Sequence, residues 1–466
     1  MQTKFDRLRI AAGLAAAILS VPPGTAQTPS LTTLYSFQGG SDGAGPYGGV
    51  ALVDGSLYGT TYHGGAGAYC QEEGGCGAVF QLAPPSTGGG AWTESVIHSF
   101  VDAYLDGYFP AAGVTASSGG ALYGTTVLGG NQGSGGTVFE LDPPSSDGGA
   151  WTETLLWSFV SEGVAQRNPA ASVVVGPGGQ LFGTTVNGGS GCARSAYDCG
   201  GTVFALEPPV ESGGAWADEV LHVFGGSATA ANPYSAVTSG AQGSLYGTAY
   251  EGGWGPVPPC GPLLCGWVFE LTPPSSPGGA WTETEIYSFL GPPSDGSNPY
   301  AALIPGPSGN FFGTTEFGGS GACANYTSSA GCGVVFELTP PASPGAAWTE
   351  AVIYNFTGQD GDGAYPIGGL LLGTNGLLYG TTYGGGNLAD CPPFTSHAVA
   401  GCGTIFQLTP PASPGGAWTE TILHAFNNTD GALPRATLTP GKGGVLYGTT
   451  YGGGAHGYGT VFQLKP

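Results

Sequence analysis

Apolar residues in this chain come in short runs of about five, each ended by glycine, proline or small polar residues. In one stretch, Pro299-Tyr300-Ala301-Ala302-Leu303-Ile304 reads as a short strand, and Pro305 to Gly309 as a turn. Phe311–Glu316 predicts a second strand, Val334–Leu338 a third with Phe336 at its centre, and Trp348–Phe356 a fourth. Pro340 to Gly345 joins the last two with turn chemistry. Short strands rich in aromatic and β-branched residues, separated by Gly/Pro clusters, predict an all-β unit of four strands.

The unit recurs. Seven variants of Leu-Tyr-Gly-Thr-Thr-x-x-Gly-Gly place their first glycine at Gly59, Gly124, Gly183, Gly247, Gly313, Gly380 and Gly448, 59 to 68 residues apart. Each is followed by a Gly-x-Val/Ile-Phe-x-Leu strand. A repeat of that size cannot bury its own core and must stack on its neighbours. Four strands per repeat is the content of a propeller blade.

The ends of the chain predict how the ring closes. Six repeats finish with a strand opened by Trp92, Trp151, Trp216, Trp281, Trp348 or Trp418, and the seventh stops before that strand. The segment Leu31–Phe37 matches the missing strand, as comparison with Thr154–Phe159 shows. The fold expected is an all-β, seven-bladed β-propeller with four antiparallel strands per blade. Residues 27–466 form one domain, in which strand 31–37 completes the last blade, 434–466. Closure leaves no bare blade interface, and a monomer is expected.

The repeat, with its Gly-Thr-Val-Phe-x-Leu-x-Pro continuation, resembles the GloVer tandem repeat of exported bacterial proteins that carry varied surface anchors. The resemblance spans nearly the whole chain after residue 26, and implies export and the repeat fold. It supplies no reaction and no catalytic residues.

Residues 1–26 have the form of an export signal. Lys4, Arg7 and Arg9 precede an apolar run, Ile10–Val21, too short to span a bilayer, and cleavage is expected after Ala26. No other stretch is apolar enough to cross a membrane, and the chain stops at Pro466, the end of a repeat strand, with no anchor expected. A secreted, periplasmic or extracellular location follows. The net charge of −23 becomes more negative once the signal is removed. Such a surface repels phosphate backbones, which argues against nucleic acid. The 91 glycines and 38 prolines would fit a disordered chain, but here they recur at fixed positions beside apolar residues.

Ten cysteines form five local pairs: Cys70/Cys76, Cys192/Cys199, Cys260/Cys265, Cys323/Cys332 and Cys391/Cys402. Each pair lies between the second and third strands of its repeat, and the second cysteine abuts the glycine that opens the third strand. Local pairing beside an export signal predicts disulfides; zinc would need a second pair or histidines in ligand spacing. With the Pro-led strand on the axis, these loops and the links between blades share one face. The bridges hold long loops there in one shape.

Each stapled loop carries an aromatic: Tyr69, Tyr197, Trp254, Tyr326 and Phe394. These are the candidate ligand-binding residues, suited to sugar rings or to anchoring a protein partner. The alternative is that they plug their own loops. Asp-Gly recurs between blades at Asp42, Asp106, Asp295, Asp362 and Asp430, as a structural turn or, alternatively, calcium ligands. No other cofactor is expected. Glu94, Glu153, Glu283, Glu350 and Glu420 occur once per blade, as scaffold does. His98, His222 and His424 hold packing slots; His63, His397 and His456 lie in or near the variable loops. No nucleophile, phosphate or zinc-protease motif is present.

Two functions fit. One is an exported binding or structural module whose stapled face engages a glycan or an extracellular protein. The other is a glycoside hydrolase or lyase over the central opening, using acids such as Asp102, Asp106 or Asp362 with Arg167 or Arg435 beside the axial strands.

Overall fold

The computed structural model describes residues 28–466, apart from 68–69, 71–73, 87–88, 102–105, 132, 147, 161–165, 190–199, 212, 226–230, 254–264, 277, 324–330, 344–345, 392–400 and 414. It contains seven four-stranded antiparallel sheets in sequential order. The last sheet runs Thr439–Pro440, Leu446–Thr450 and Thr460–Lys465, and its outer strand is Ser30–Ser36 from the other end of the chain. The chain is a seven-bladed propeller closed by its N-terminal strand.

The repeat motif has a physical reason at each position. Its glycine faces the phenylalanine of the third strand: a Cβ on Gly59 would lie 2.6 Å from the Phe80 ring, and on Gly380 2.5 Å from Phe406. Any side chain there would evict a fully buried ring. That ring meets the phenylalanine ending the previous blade's outer strand, as in Phe100–Phe139 at 5.3 Å and Phe356–Phe406 at 5.1 Å. The series closes with Phe37–Phe80 at 5.1 Å. The two threonines of the motif face different partners. The first donates its hydroxyl to a carbonyl of the next blade's axial segment, from Thr60 to Ala112 at 2.7 Å and Thr314 to Gly368 at 3.1 Å. The second pairs within its blade, as Thr382 with Thr404 at 2.8 Å.

The axial strands are shorter than their sequence predicts. Of residues 299–304, only Ile304 enters the ladder, in the strand Ile304–Pro305. Nearer the axis the blades converge, and the backbone turns from its own sheet to the neighbours. Ala301, for example, gives its carbonyl to the hydroxyl of Thr248 one blade back at 3.0 Å.

The Asp-Gly turns cap the outer strands. Asp42, Asp295, Asp362 and Asp430 accept the backbone N–H of Gln38, Leu290, Thr357 and Asn427 at 2.7 to 3.0 Å. Asp42 and Asp295 also accept from the phenols of Tyr35 and Tyr287, both at 2.9 Å. In the same slot His424 lies 2.9 Å from Asp430 and edge-on to Phe426.

Among the described residues, Cys70–Cys76, Cys323–Cys332 and Cys391–Cys402 are disulfides, Cys265 is bonded too, and no cysteine is free. No helix of the described residues is long and apolar enough to cross a membrane. The disulfides fit an oxidising extracellular or periplasmic compartment.

Candidate functional site: the axial mouth

All seven blades line one axial cavity of about 330 Å³. Its walls are Gly48, Gly49, Ala112, Gly113, Ala171, Ala236, Ala301 and their neighbours, so side chains leave the axis open. At the loop face the walls change character. Two positions per blade mark its loop-facing end: the residue after the axial proline, which lines the cavity, and the residue after Gly-Thr-Thr, which directly follows the second strand. The first set is Tyr47, Ala111, Ala170, Tyr234, Tyr300, Ile367 and Arg435; the second is Tyr62, Val127, Val186, Tyr250, Glu316, Tyr383 and Tyr451.

These side chains form a half-buried aromatic collar. Tyr234 stacks on Tyr300 with centroids 5.0 Å apart, and Tyr250 meets both edge-on. Tyr62 stacks on Phe109 at 4.8 Å, and Tyr47 contacts Tyr62 and Tyr451. The Arg435 guanidinium lies 3.7 Å over the Tyr47 ring, with Tyr383 at 5.2 Å and Tyr451 at 5.7 Å. At these two positions blades 2 and 3 carry only Ala111, Val127, Ala170 and Val186, and Phe109 supplies the aromatic of blade 2.

Tyr250 donates its phenol to Glu316 at 2.7 Å. Burial pushes the Glu316 carboxyl above the ordinary range, opposed by the Tyr250 hydrogen bond and by the Arg435 charge. Burial likewise raises Tyr234, Tyr250, Tyr300, Tyr383 and Tyr451, so all remain neutral phenols near neutral pH. Burial works against the Arg435 charge, but Tyr47, Tyr300, Tyr383 and Glu316 outweigh it.

One residue per blade ties this collar to the loops. Gly45, Phe109, Asn168, Asn232, Asn298, Tyr365 and Leu433 each precede the axial proline with φ between +46° and +61°. Such a conformation is costly for most side chains and disfavoured before proline. It persists because both backbone groups are held. The N–H of Phe109, Asn298, Tyr365 and Leu433 reaches the carbonyl of Cys76, Cys265, Cys332 and Cys402 in the preceding blade at 2.6 to 2.9 Å. Their carbonyls accept from Val127, Glu316, Tyr383 and Tyr451, the rim residues of their own blades. The second cysteine of a staple is therefore two hydrogen bonds from the mouth. At Asn298 the side chain adds a third tie, donating to the Tyr250 carbonyl at 3.0 Å.

The sequence candidates fall in different places. Tyr69, Tyr197, Trp254, Tyr326 and Phe394 lie outside the described residues, as do Cys192, Cys199, Cys260, His397 and Asp102. Asp106 and Asp362 are turn caps, not members of the collar. Arg167 pairs through its backbone with Asn187, whereas Arg435 lines the cavity. His63 joins the rim aromatics, 5.4 Å from Phe109, and His456 is exposed. The collar tyrosines and Glu316 were not among the sequence candidates. Their signal was present as two positions that vary between repeats while their neighbours stay constant.

The model of the Gloeobacter/Verrucomicrobia repeat matches residues 15–257 and 260–466. The chain belongs to the Gloeobacter/Verrucomicrobia repeat family. Among curated proteins none matches this family member. A crystal structure of a protein of unknown function from Dyadobacter fermentans DSM 18053 is similar at 11% identity and a TM-score of 0.40, covering 93% of this chain and 97% of that one.

Proposed function

We propose that this repeat protein is an exported binding module that seats a glycan in its axial mouth, with the stapled loops contributing to the same face. The observation that carries this reading is the tyrosine collar. Sugar rings present C–H faces that stack on aromatic rings and hydroxyls that bond phenols. Tyr47, Tyr300, Tyr383 and Tyr451 offer both, since their phenols make no hydrogen bond to any described residue. Closed blades and short cross-ties hold the collar in place before binding, which lowers the ordering cost. Residues 1–26 act as the export signal, and Tyr69, Tyr197, Trp254, Tyr326 and Phe394 extend the contact surface around the mouth.

A glycan-array screen of the oxidised chain from residue 27, run beside Tyr300→Ala, tests this. Binding that is weakened at least tenfold in the variant supports the axial seat. Binding that is unchanged places the site elsewhere on the molecule.

A second reading is catalysis at the mouth as a glycoside hydrolase or lyase. It is favoured by Glu316, an enclosed carboxyl with a raised pKa beside a phenol and a guanidinium. Reducing-end release from the array hits, abolished in Glu316→Gln, would establish it.

A further inference from the structure

Arg435 is the feature of the mouth that glycan stacking leaves unexplained. The chain has 8 basic residues against 31 acidic ones, and one of those few stands beside the axis. Its guanidinium makes no ion pair or hydrogen bond with any described residue, and its Nε–H is buried without a partner. Glu316 feels its charge but spends an oxygen on Tyr250 instead. Three tyrosine rings surround the cation. Cation–π attraction offsets part of the loss of water but satisfies none of the five N–H donors.

Building on the glycan reading, we infer that Arg435 makes the mouth selective for a sugar carrying a carboxylate, a uronic acid residue. Tyr47 covers one face of the guanidinium at 3.7 Å, so hydrogen bonds leave through its edge. An edge presenting parallel N–H groups matches the two oxygens of a planar carboxylate. The neighbouring unpaired phenols of Tyr47 and Tyr300 take ring hydroxyls, and the cavity of about 330 Å³ is at the small end of ligand sites. The net charge of −23 repels long polyanions, so the fit is to a single acidic residue at a chain end. Arg435 belongs to the blade completed by Ser30–Ser36, and the selective group is therefore placed by ring closure.

The test reads Arg435 directly. After residue 26 the chain contains only Arg167, Arg194 and Arg435, so ¹⁵N-arginine labelling gives a nearly empty Nε–H spectrum. Methyl glucuronide and methyl galacturonide are titrated against methyl glucoside, methyl galactoside and acetate. The expected result is a shift of the Arg435 signal with a uronide, affinity at least tenfold above the neutral counterpart, and no comparable effect of acetate. Arg435→Lys, checked for folding by its melting curve, should lose that preference. Neutral glycosides binding as tightly as uronides would overturn the inference and leave glycan binding standing. Acetate acting as strongly as a uronide would reduce the site to a general carboxylate site. No binding of either glycoside class would overturn both readings. The comparison on the unmodified chain needs no variant to fold.

Discussion

Thr449 in the last blade donates its hydroxyl to the carbonyl of Gly48 in the first, 2.9 Å away and 401 residues back along the chain. It is the seventh copy of a bond that every blade makes to the next, and the one that crosses the closure. Replacing Thr449 by valine keeps the shape, removes the donor and leaves a buried carbonyl unpaired. A loss of about 1–2 kcal/mol is expected, and Thr314→Val in mid-ring should lose a similar amount. Equilibrium urea unfolding checks both, and a Thr449→Val protein as stable as the parent would contradict the account.

A Cβ on Gly380 would lie 2.5 Å from the Phe406 ring, well inside van der Waals contact. Gly380→Ala should cost about 1–3 kcal/mol through overpacking, although alanine is otherwise compatible with a strand. The same substitution at Gly415, where a Cβ would meet nothing but φ is +80°, should act only through backbone strain. Thermal melts of the two variants separate crowding from conformation.

The outer strands carry carboxyls whose pKa the blade junctions raise. Burial raises Glu350 to about 8, reinforced by Asp295; Glu420 rises to about 7 beside Asp362, and Glu94 to about 7 beside Asp42. Tyr354 donates to Glu420 at 2.9 Å. A folded pKa above the unfolded one gives stability that is complete below the unfolded value, near 4.5, and lost as pH rises through the folded value. The melting temperature should therefore fall between pH 5 and pH 8.5, and Glu350→Gln with Glu420→Gln should flatten the fall. A melting temperature that rises over that range would refute the assignment.

The repeat made the fold legible because the glycine, threonine and phenylalanine of each blade do the same job seven times. Leu31–Phe37 could be matched to the missing strand for the same reason. Of the mouth, Arg435 beside the axial strand was legible, but Tyr47, Tyr300 and Glu316 were not, because they occupy positions where the repeats differ. Superposing repeats, which reveals the architecture, averages such positions away. The tie residues were hidden differently: Asn168, Asn232 and Asn298 precede proline, a context that favours extended backbone, and only their cross-blade hydrogen bonds show the left-handed conformation. Three of the five cysteine pairs read from spacing are disulfides among the described residues, but spacing did not show that the Cys402 carbonyl holds Leu433, directly before Pro434-Arg435.

That link makes the Cys391–Cys402 disulfide a support of the mouth. A ring of this size contributes roughly 2–3 kcal/mol by chain entropy. The double variant Cys391→Ser/Cys402→Ser should lose about that much stability. The Leu433 amide should also exchange with deuterium at least tenfold faster, while the Gly48 and Phe37 amides across the closure change little. Uniform acceleration throughout the ring would mean that the bridge stabilises the fold as a whole and has no special tie to the mouth.

The most direct measurement is a crystal structure of the oxidised protein with the tightest glycan from the array. A sugar ring is expected in the axial cavity at the loop face, stacked against Tyr47 or Tyr300 and within hydrogen-bond reach of Arg435. A ligand bound on the outer strands, or on the opposite face among the Pro-Pro turns, would contradict it.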